Sequence, residues 1–208
     1  MIAAKVTPLT LKRVLQKAVD TLRRGGIVAY PTETFYGLGA SFDAEESLKK
    51  LYRIKQRPRD KAIPLIIGNR DLLSILTYAV NLEAKSLMDR FWPGPLTLIF
   101  NARENLSEFI TAGTGKVAVR LPGESFALHL ARAAPFPVTA TSANLSGMMP
   151  ARDAETVIEY FGGNIDLVID GGPAPGALPS TLVDVTGDTA KILREGVIQK
   201  EALFAAGK

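Results

Sequence analysis

The chain has no cysteine and a single histidine, His129, in 208 residues. Without cysteine there is no disulfide framework and no thiol nucleophile. Zinc sites built on thiolates or on several imidazoles are excluded as well. Long apolar runs are missing: nothing approaches the ~20 residues that cross a bilayer. The N-terminus lacks the basic segment and following apolar run of a secretory signal. The expectation is a soluble, cytoplasmic protein with no membrane partner. Several motifs are absent too. There is no GxxxxGK[ST] phosphate loop and no GxSxG elbow, and Gly37-Leu38-Gly39 lacks the third glycine of a dinucleotide fingerprint.

What is present is globular. Hydrophobic residues make up 47% and charged residues 22%, enough for one domain over residues 1–208 to bury a core without covalent staples. The net charge of +4 is modest but unevenly spread. Between Lys49 and Lys61 stand Lys49, Lys50, Arg53, Lys55, Arg57, Arg59 and Lys61, against Asp60 alone. The rest of the chain carries 18 basic and 20 acidic residues. Such a window is either a surface for an anionic partner, a nucleotide's phosphates or a nucleic acid, or a solvated helix face.

Apolar periodicity predicts alternating helices and strands. Helices are expected over 11–22, from about 45 to 54, over 81–91, 124–134 and 154–161. Asp43 with Glu46 resembles a capping pair for the second of these, and Asn81 a cap for the third. Strands are expected at 27–30, 63–67, 96–100, 117–121, 138–140, 167–169, 182–185 and 191–193. The last two lack a helix-length crossover, so they are read as antiparallel neighbours. The whole is one α/β domain with a large mixed sheet.

Four groups of residues could carry chemistry. Tyr30 to Gly39 joins a proline, hydroxyls, a carboxylate and two glycines. It is either an ordinary turn or a loop that presents N–H and hydroxyl groups to a polar ligand. Lys55, Arg57, Arg59 and Lys61 alternate around Pro58, so an extended segment would project all four to one side, toward a triphosphate. Thr139 to Gly147 offers hydroxyls and an amide after a buried strand, either as ligand donors or as turn caps. Arg120, Ser180-Thr181 and Arg194 lie in or beside strands. An arginine there needs an acid such as Asp184 or Glu195, or else a cleft. His129, on a helix among Ala127, Leu128, Leu130 and Ala131, is read as structural.

Taken together, these segments resemble the YrdC/TsaC family of threonylcarbamoyl-AMP synthases. The resemblance rests on Lys55-Gln56-Arg57, Lys61 and Ser142-Ala143-Asn144. Further support comes from the segments 26–34, 117–122, 180–184 and 192–196, and the likeness covers about residues 10–198. Lys61-Ala62-Ile63 and Arg194-Glu195-Gly196 depart from the usual Lys-Pro-Leu and Arg-Pro-Gly, with the cations kept.

The resemblance implies a YrdC-like fold, a twisted mixed β-sheet with flanking helices around a basic cleft, in the short single-domain type. It implies synthesis of threonylcarbamoyl-AMP and pyrophosphate from L-threonine, bicarbonate and ATP. That product serves N6-threonylcarbamoyladenosine formation at position 37 of tRNA, through downstream threonylcarbamoyl-transfer proteins. By matching positions, Lys55, Arg57, Ser142 and Asn144 are the catalytic set. ATP is held by these four with Arg59, Lys61 and Arg194. Threonine and bicarbonate are held by Thr32, Arg120, Ala140 and Ser180. Mg2+ would arrive with ATP, with no metal site in the protein. The alternative is a protein that binds double-stranded RNA or tRNA in the same cleft, and a further rival is a paralogue without synthase activity.

Overall fold

A computed structural model describes residues 2–204. In chain order the elements are β1 (Ile2–Lys5), α1 (Leu11–Arg23), β2 (Val28–Pro31), β3 (Tyr36–Gly39), α2 (Glu45–Lys55), β4 (Leu65–Ile66), a 3-10 turn (Arg70–Ile75), α3 (Leu82–Phe91), β5 (Leu96–Asn101), α4 (Glu108–Thr111), β6 (Lys116–Arg120), α5 (Phe126–Ala133), β7 (Val138–Thr139), β8 (Thr141–Ser142), α6 (Ala154–Phe161), a second 3-10 turn (Gly162–Asn164), β9 (Leu167–Asp170), β10 (Thr181–Asp184), β11 (Lys191–Arg194) and α7 (Lys200–Phe204).

The expected mixed pairing is present, but the strands divide into two sheets instead of one. One runs β1-β9-β2-β3-β8 and the other β11-β10-β5-β6-β4-β7. β10 and β11 are antiparallel, as their short connection requires. The division has a local cause in residues 138–142. There β7 pairs with β4 of the second sheet, and β8 pairs with β3 of the first. Between them the Ala140 amide donates to the Pro64 carbonyl. The chain thus passes from one sheet to the other within five residues.

Side-chain alternation explains the layers. On β2, Val28 and Tyr30 face a cluster built with α1 and α5, while Ala29, and Ile27 just before the strand, face the larger core. On β5, Leu96, Leu98 and Phe100 enter that larger core, and Thr97 and Ile99 line a groove on the opposite face. β6 repeats the pattern, with Val117 and Val119 inward and Ala118 and Arg120 on the groove side. Sequence patterning alone therefore gives the second sheet one dry face and one ligand-accessible face.

Two local expectations differ. Asp43 and Glu46 do not cap α2: its N-cap residue is Ala44, with no side-chain cap, and Asp43 accepts from Ser41 Oγ instead. Tyr36–Gly39, expected as part of a loop, is strand β3 and pairs along its length with β2. Asn81 does cap α3, its Oδ1 accepting from the Ala84 amide at 2.8 Å. Among the described residues no helix is long and apolar enough to cross a membrane.

Candidate active site

The groove between the two sheets has a volume of about 670 Å³, the size of a small-molecule site. Thr32, Arg57, Arg120, Ala140, Ser142, Ser180 and Arg194 all line it. Residues as far apart in sequence as 32 and 194 thus reach one concavity. Each comes from a strand end or from the connection beside it, except Arg57, which follows the end of α2.

α2 supplies the first cation. Ser47, Leu48, Leu51, Tyr52 and Lys55 are its buried residues. Positions 48, 51, 52 and 55 follow the i, i+3, i+4, i+7 stripe of an amphipathic helix. Lys55 therefore points inward and is 1% exposed. Its amine donates to the Ser142 carbonyl, to the Asn144 carbonyl at 2.7 Å and to Asn144 Oδ1 at 3.3 Å. Burial, reinforced by the like charge of Arg57, pulls its pKa down to about 7. The same helix end is tied a second time, because the Ser146 amide donates to the Lys55 carbonyl. Ser142 Oγ donates to Asn144 Oδ1 at 2.6 Å, and Asn144 Nδ2 donates to the carbonyls of Leu145 and Met148. Lys55 thus anchors the Ser142–Asn144 turn through three acceptors on it.

The four cations 55, 57, 59 and 61 do not project to one side. Lys55 ends the helix, Gln56 turns into the left-handed region at φ 51°, and the chain changes direction before Pro58. Arg57 reaches the groove. Its Nε donates to the Lys61 carbonyl at 2.9 Å and Nη2 to the Ala62 carbonyl at 2.6 Å, while Nη1 lies 3.4 Å from Thr141 Oγ1. Arg59 instead lies over the Phe109 ring at 4.8 Å. It lines a separate concavity of about 440 Å³ on the outer face of α2, with Lys49, Lys50, Arg53 and Arg57. Lys61 is exposed, and neither it nor Arg59 lines the groove.

Arg120, 6% exposed, closes the inner end of β6. Its partner is neither Asp184, which pairs with Lys116, nor Glu195, which accepts from the Lys200 amide. Arg120 Nη1 instead meets Glu33 Oε1 at 3.0 Å. Glu33 stands at the tip of the β2–β3 hairpin. The Thr32 hydroxyl closes that hairpin by donating to the Phe35 carbonyl at 2.7 Å and accepting from the Thr34 amide. At the opposite rim, Arg194 Nη2 donates to the Ser180 carbonyl at 2.9 Å, and Ser180 Oγ lies 2.8 Å from Thr97 Oγ1. The sequence expectations lacked Thr97 and the pairing of Glu33, while Thr141 lay within the hydroxyl-bearing loop 139–147. Thr97 had a signal, since it is the polar member of the alternating run Leu96 to Phe100. His129 pairs with Glu124 at 3.2 Å, outside the groove.

Cations, hydroxyls and one neutralised carboxylate make a site for anions. It suits positioning and charge stabilisation, with no nucleophile required. The profile of the family described as Sua5_yciO_yrdC, Telomere recombination, matches residues 20–196. The chain is 41% identical, over 92% of its length, to the threonylcarbamoyl-AMP synthase of Bacillus subtilis strain 168. It is 39% identical, over 89% of its length, to the enzyme of the same name from Pyrococcus abyssi. These matches cover 56% and 55% of the two relatives, so the chain spans about half their length. It superposes on the crystal structure of P. abyssi Sua5 complexed with L-threonine with a TM-score of 0.89 at 37% identity. That match covers 94% of this chain and 58% of the other. The profile match, the two relatives and the shared fold together establish that the chain belongs to the Sua5/YciO/YrdC family.

Proposed function

We propose that this chain is one YrdC-like domain, cytoplasmic, that makes L-threonylcarbamoyl-AMP and pyrophosphate from L-threonine, bicarbonate and ATP. It would supply N6-threonylcarbamoyladenosine formation at position 37 of tRNA through downstream transfer proteins. The observation that carries the reading is the convergence of Arg57, Arg120 and Arg194 with Thr32, Ser142 and Ser180 on one groove. The relatives' names and the threonine complex of P. abyssi Sua5 support the choice of substrates.

The chemistry balances without a protein nucleophile. The threonine nitrogen attacks the bicarbonate carbon, and water leaves to give a carbamate. A carbamate oxygen then attacks the α-phosphorus of ATP, and pyrophosphate departs. Charge moves onto the leaving group, so preorganised cations lower the barrier. Arg120 takes the threonine carboxylate, with Thr32, Ala140 and Ser180 around the amino acid and bicarbonate. Arg57, Ser142, Asn144 and Arg194 take the nucleotide. Lys55 acts through the Ser142–Asn144 turn that it holds. Arg59 and Lys61 bear on the phosphates only through their field. The groove's cations and hydroxyls do not suit a divalent metal held by the protein, and Glu33 is committed to Arg120. Mg2+ belongs with the ATP phosphates, and no step here runs through it.

The test is pyrophosphate release with threonine, bicarbonate and ATP omitted in turn. Release is expected only with all three present. Undiminished release without bicarbonate overturns the mechanism, and equal release with serine overturns the specificity.

A second reading has its own observation. The concavity on the outer face of α2 carries Lys49, Lys50, Arg53, Arg57 and Arg59 against Glu46. That charge suits a polyanion such as tRNA or double-stranded RNA. Salt-sensitive tRNA binding that survives saturation of the groove with ATP supports it.

A further inference from the structure

Arg120 is the most deeply buried cation lining the groove, and the acid that holds it lies outside that lining. The side chains of Arg120 and Glu33 are 8% and 14% exposed, 3.0 Å apart. Among the described residues Arg120 donates to no other protein acceptor. Its Nε and Nη2 are thus uncommitted, while Nη1 is fixed. Glu33 is itself held from several directions. The Thr32 and Thr34 hydrogen bonds clamp the backbone on both sides of it. The loop after β6 packs on its stem, where a Cβ at Gly123 would come within 3.4 Å of Glu33 Cγ. Ser125 Oγ approaches Glu33 Oε2 at 3.5 Å. A rigid hairpin tip from one sheet therefore grips an arginine at the end of a strand in the other.

We infer that Glu33 is a positioning residue, which fixes the Arg120 guanidinium so that its free N–H groups meet the carboxylate of the amino-acid substrate. The chemistry favours such a support. An arginine recognises a carboxylate through a planar fork, and that fork discriminates only when its plane is fixed. A long unsupported stem would sample several rotamers and offer the fork in each only part of the time. The inference rests on the proposed function for the identity of that substrate.

The experiment is steady-state kinetics of pyrophosphate release for wild type, Glu33→Gln and Glu33→Asp, with threonine and ATP varied separately and thermal unfolding followed in parallel. Displacing a binding group from its productive position costs about 10- to 100-fold. The KM for threonine should rise by that factor in Glu33→Gln, and the KM for ATP should change less than about twofold. Glu33→Asp, which keeps the charge but draws it back by one methylene, should fall between wild type and Glu33→Gln. It also decides the matter if Glu33→Gln does not fold. Three results overturn the inference: an unchanged threonine KM, a lowered one, which would mean that Glu33 competes with substrate for Arg120, or an equal loss for both substrates that tracks the fall in melting temperature. If the wild type itself shows no threonine-dependent release, the functional reading fails instead, and the two failures are told apart by that control.

Discussion

Lys55 and Arg57 stand two positions apart, and the structure separates what they do. Lys55 Nζ satisfies carbonyls of the Ser142–Asn144 turn, whereas Arg57 presents its guanidinium to the groove. Lys55→Ala leaves buried acceptors unpaired, at about 1–3 kcal/mol. It should lower the melting temperature together with turnover. Arg57→Ala frees only the Ala62 carbonyl outright, because Tyr52 Oη still donates to that of Lys61, so it should lower the melting temperature less than Lys55→Ala does. Its turnover should fall about 100- to 1,000-fold, the scale of losing one donor to a developing anion. Unfolding curves beside pyrophosphate-release rates check both. The lowered pKa of Lys55 has its own consequence. Near pH 7 the amine is only partly protonated, and a triphosphate bound nearby favours the charged form. ATP binding at neutral pH should therefore take up protons. Calorimetry in buffers of different ionisation enthalpy should detect this uptake in the wild type and lose it in Lys55→Met. The same depression bears on stability. Between about pH 7 and the ordinary lysine range the unfolded chain holds a proton that the native chain does not. This group's contribution thus favours the fold increasingly as pH rises through that window. That Lys55 points inward was not expected, since it was grouped with Arg57, Arg59 and Lys61, although it closes the 48–51–52–55 stripe. That Arg59 turns away was not legible, because the left-handed step at Gln56 has no signature in a residue that seldom adopts it.

The turn after β11, packed against the segment that enters β10, is where backbone geometry bears most directly on the groove. The ideal Cβ position at Gly196 lies 2.1 Å from the Pro179 carbonyl oxygen and 2.7 Å from the Ser180 carbonyl carbon. No rotamer relieves a clash with main chain. Gly196→Ala should therefore destabilise by about 1–3 kcal/mol and push Ser180 off its bond to Thr97, reducing activity more than Tm alone explains. Thermal unfolding together with the KM for threonine measures the two effects. Elements with a strong period were readable from sequence: α1, α3, α6, β5 and β6 fall within a residue or two of their expected bounds. β3 was hidden by its two glycines, which mimic a loop. Gly39 serves close packing instead, since a Cβ there would come within 2.7 Å of Tyr30 Cε1 and 2.8 Å of Val138 Cγ1. The expected capping box failed for a local reason, because Ser41 Oγ, two residues away, engages Asp43.

The division into two sheets was not legible, since β7 and β8 have two residues each and no pattern names their partners. The motif residues, by contrast, were legible as a set. Most of them line one groove because the groove forms where the sheets meet, so each strand end near residues 139–142 contributes to it. This placement has a consequence for local opening. Loops that border ligand sites ordinarily exchange their amide hydrogens quickly, because they open without disturbing the core. Here the groove's back wall is the crossing segment itself. The amide of Thr139 donates to the Ala40 carbonyl, that of Ala140 to Pro64 and that of Ala143 to Tyr36. To free the first two, the crossing segment must come away from the sheets it joins, whereas the third bond lies within the first sheet. In deuterium the Thr139 and Ala140 amides should exchange as slowly as those of Val117 and Val119, through global unfolding, while those of the exposed Gly147 and Met149 exchange within seconds to minutes. Fast exchange at Ala140 would mean instead that the two halves of the molecule part readily, and the groove would then be a hinge in place of a fixed mould.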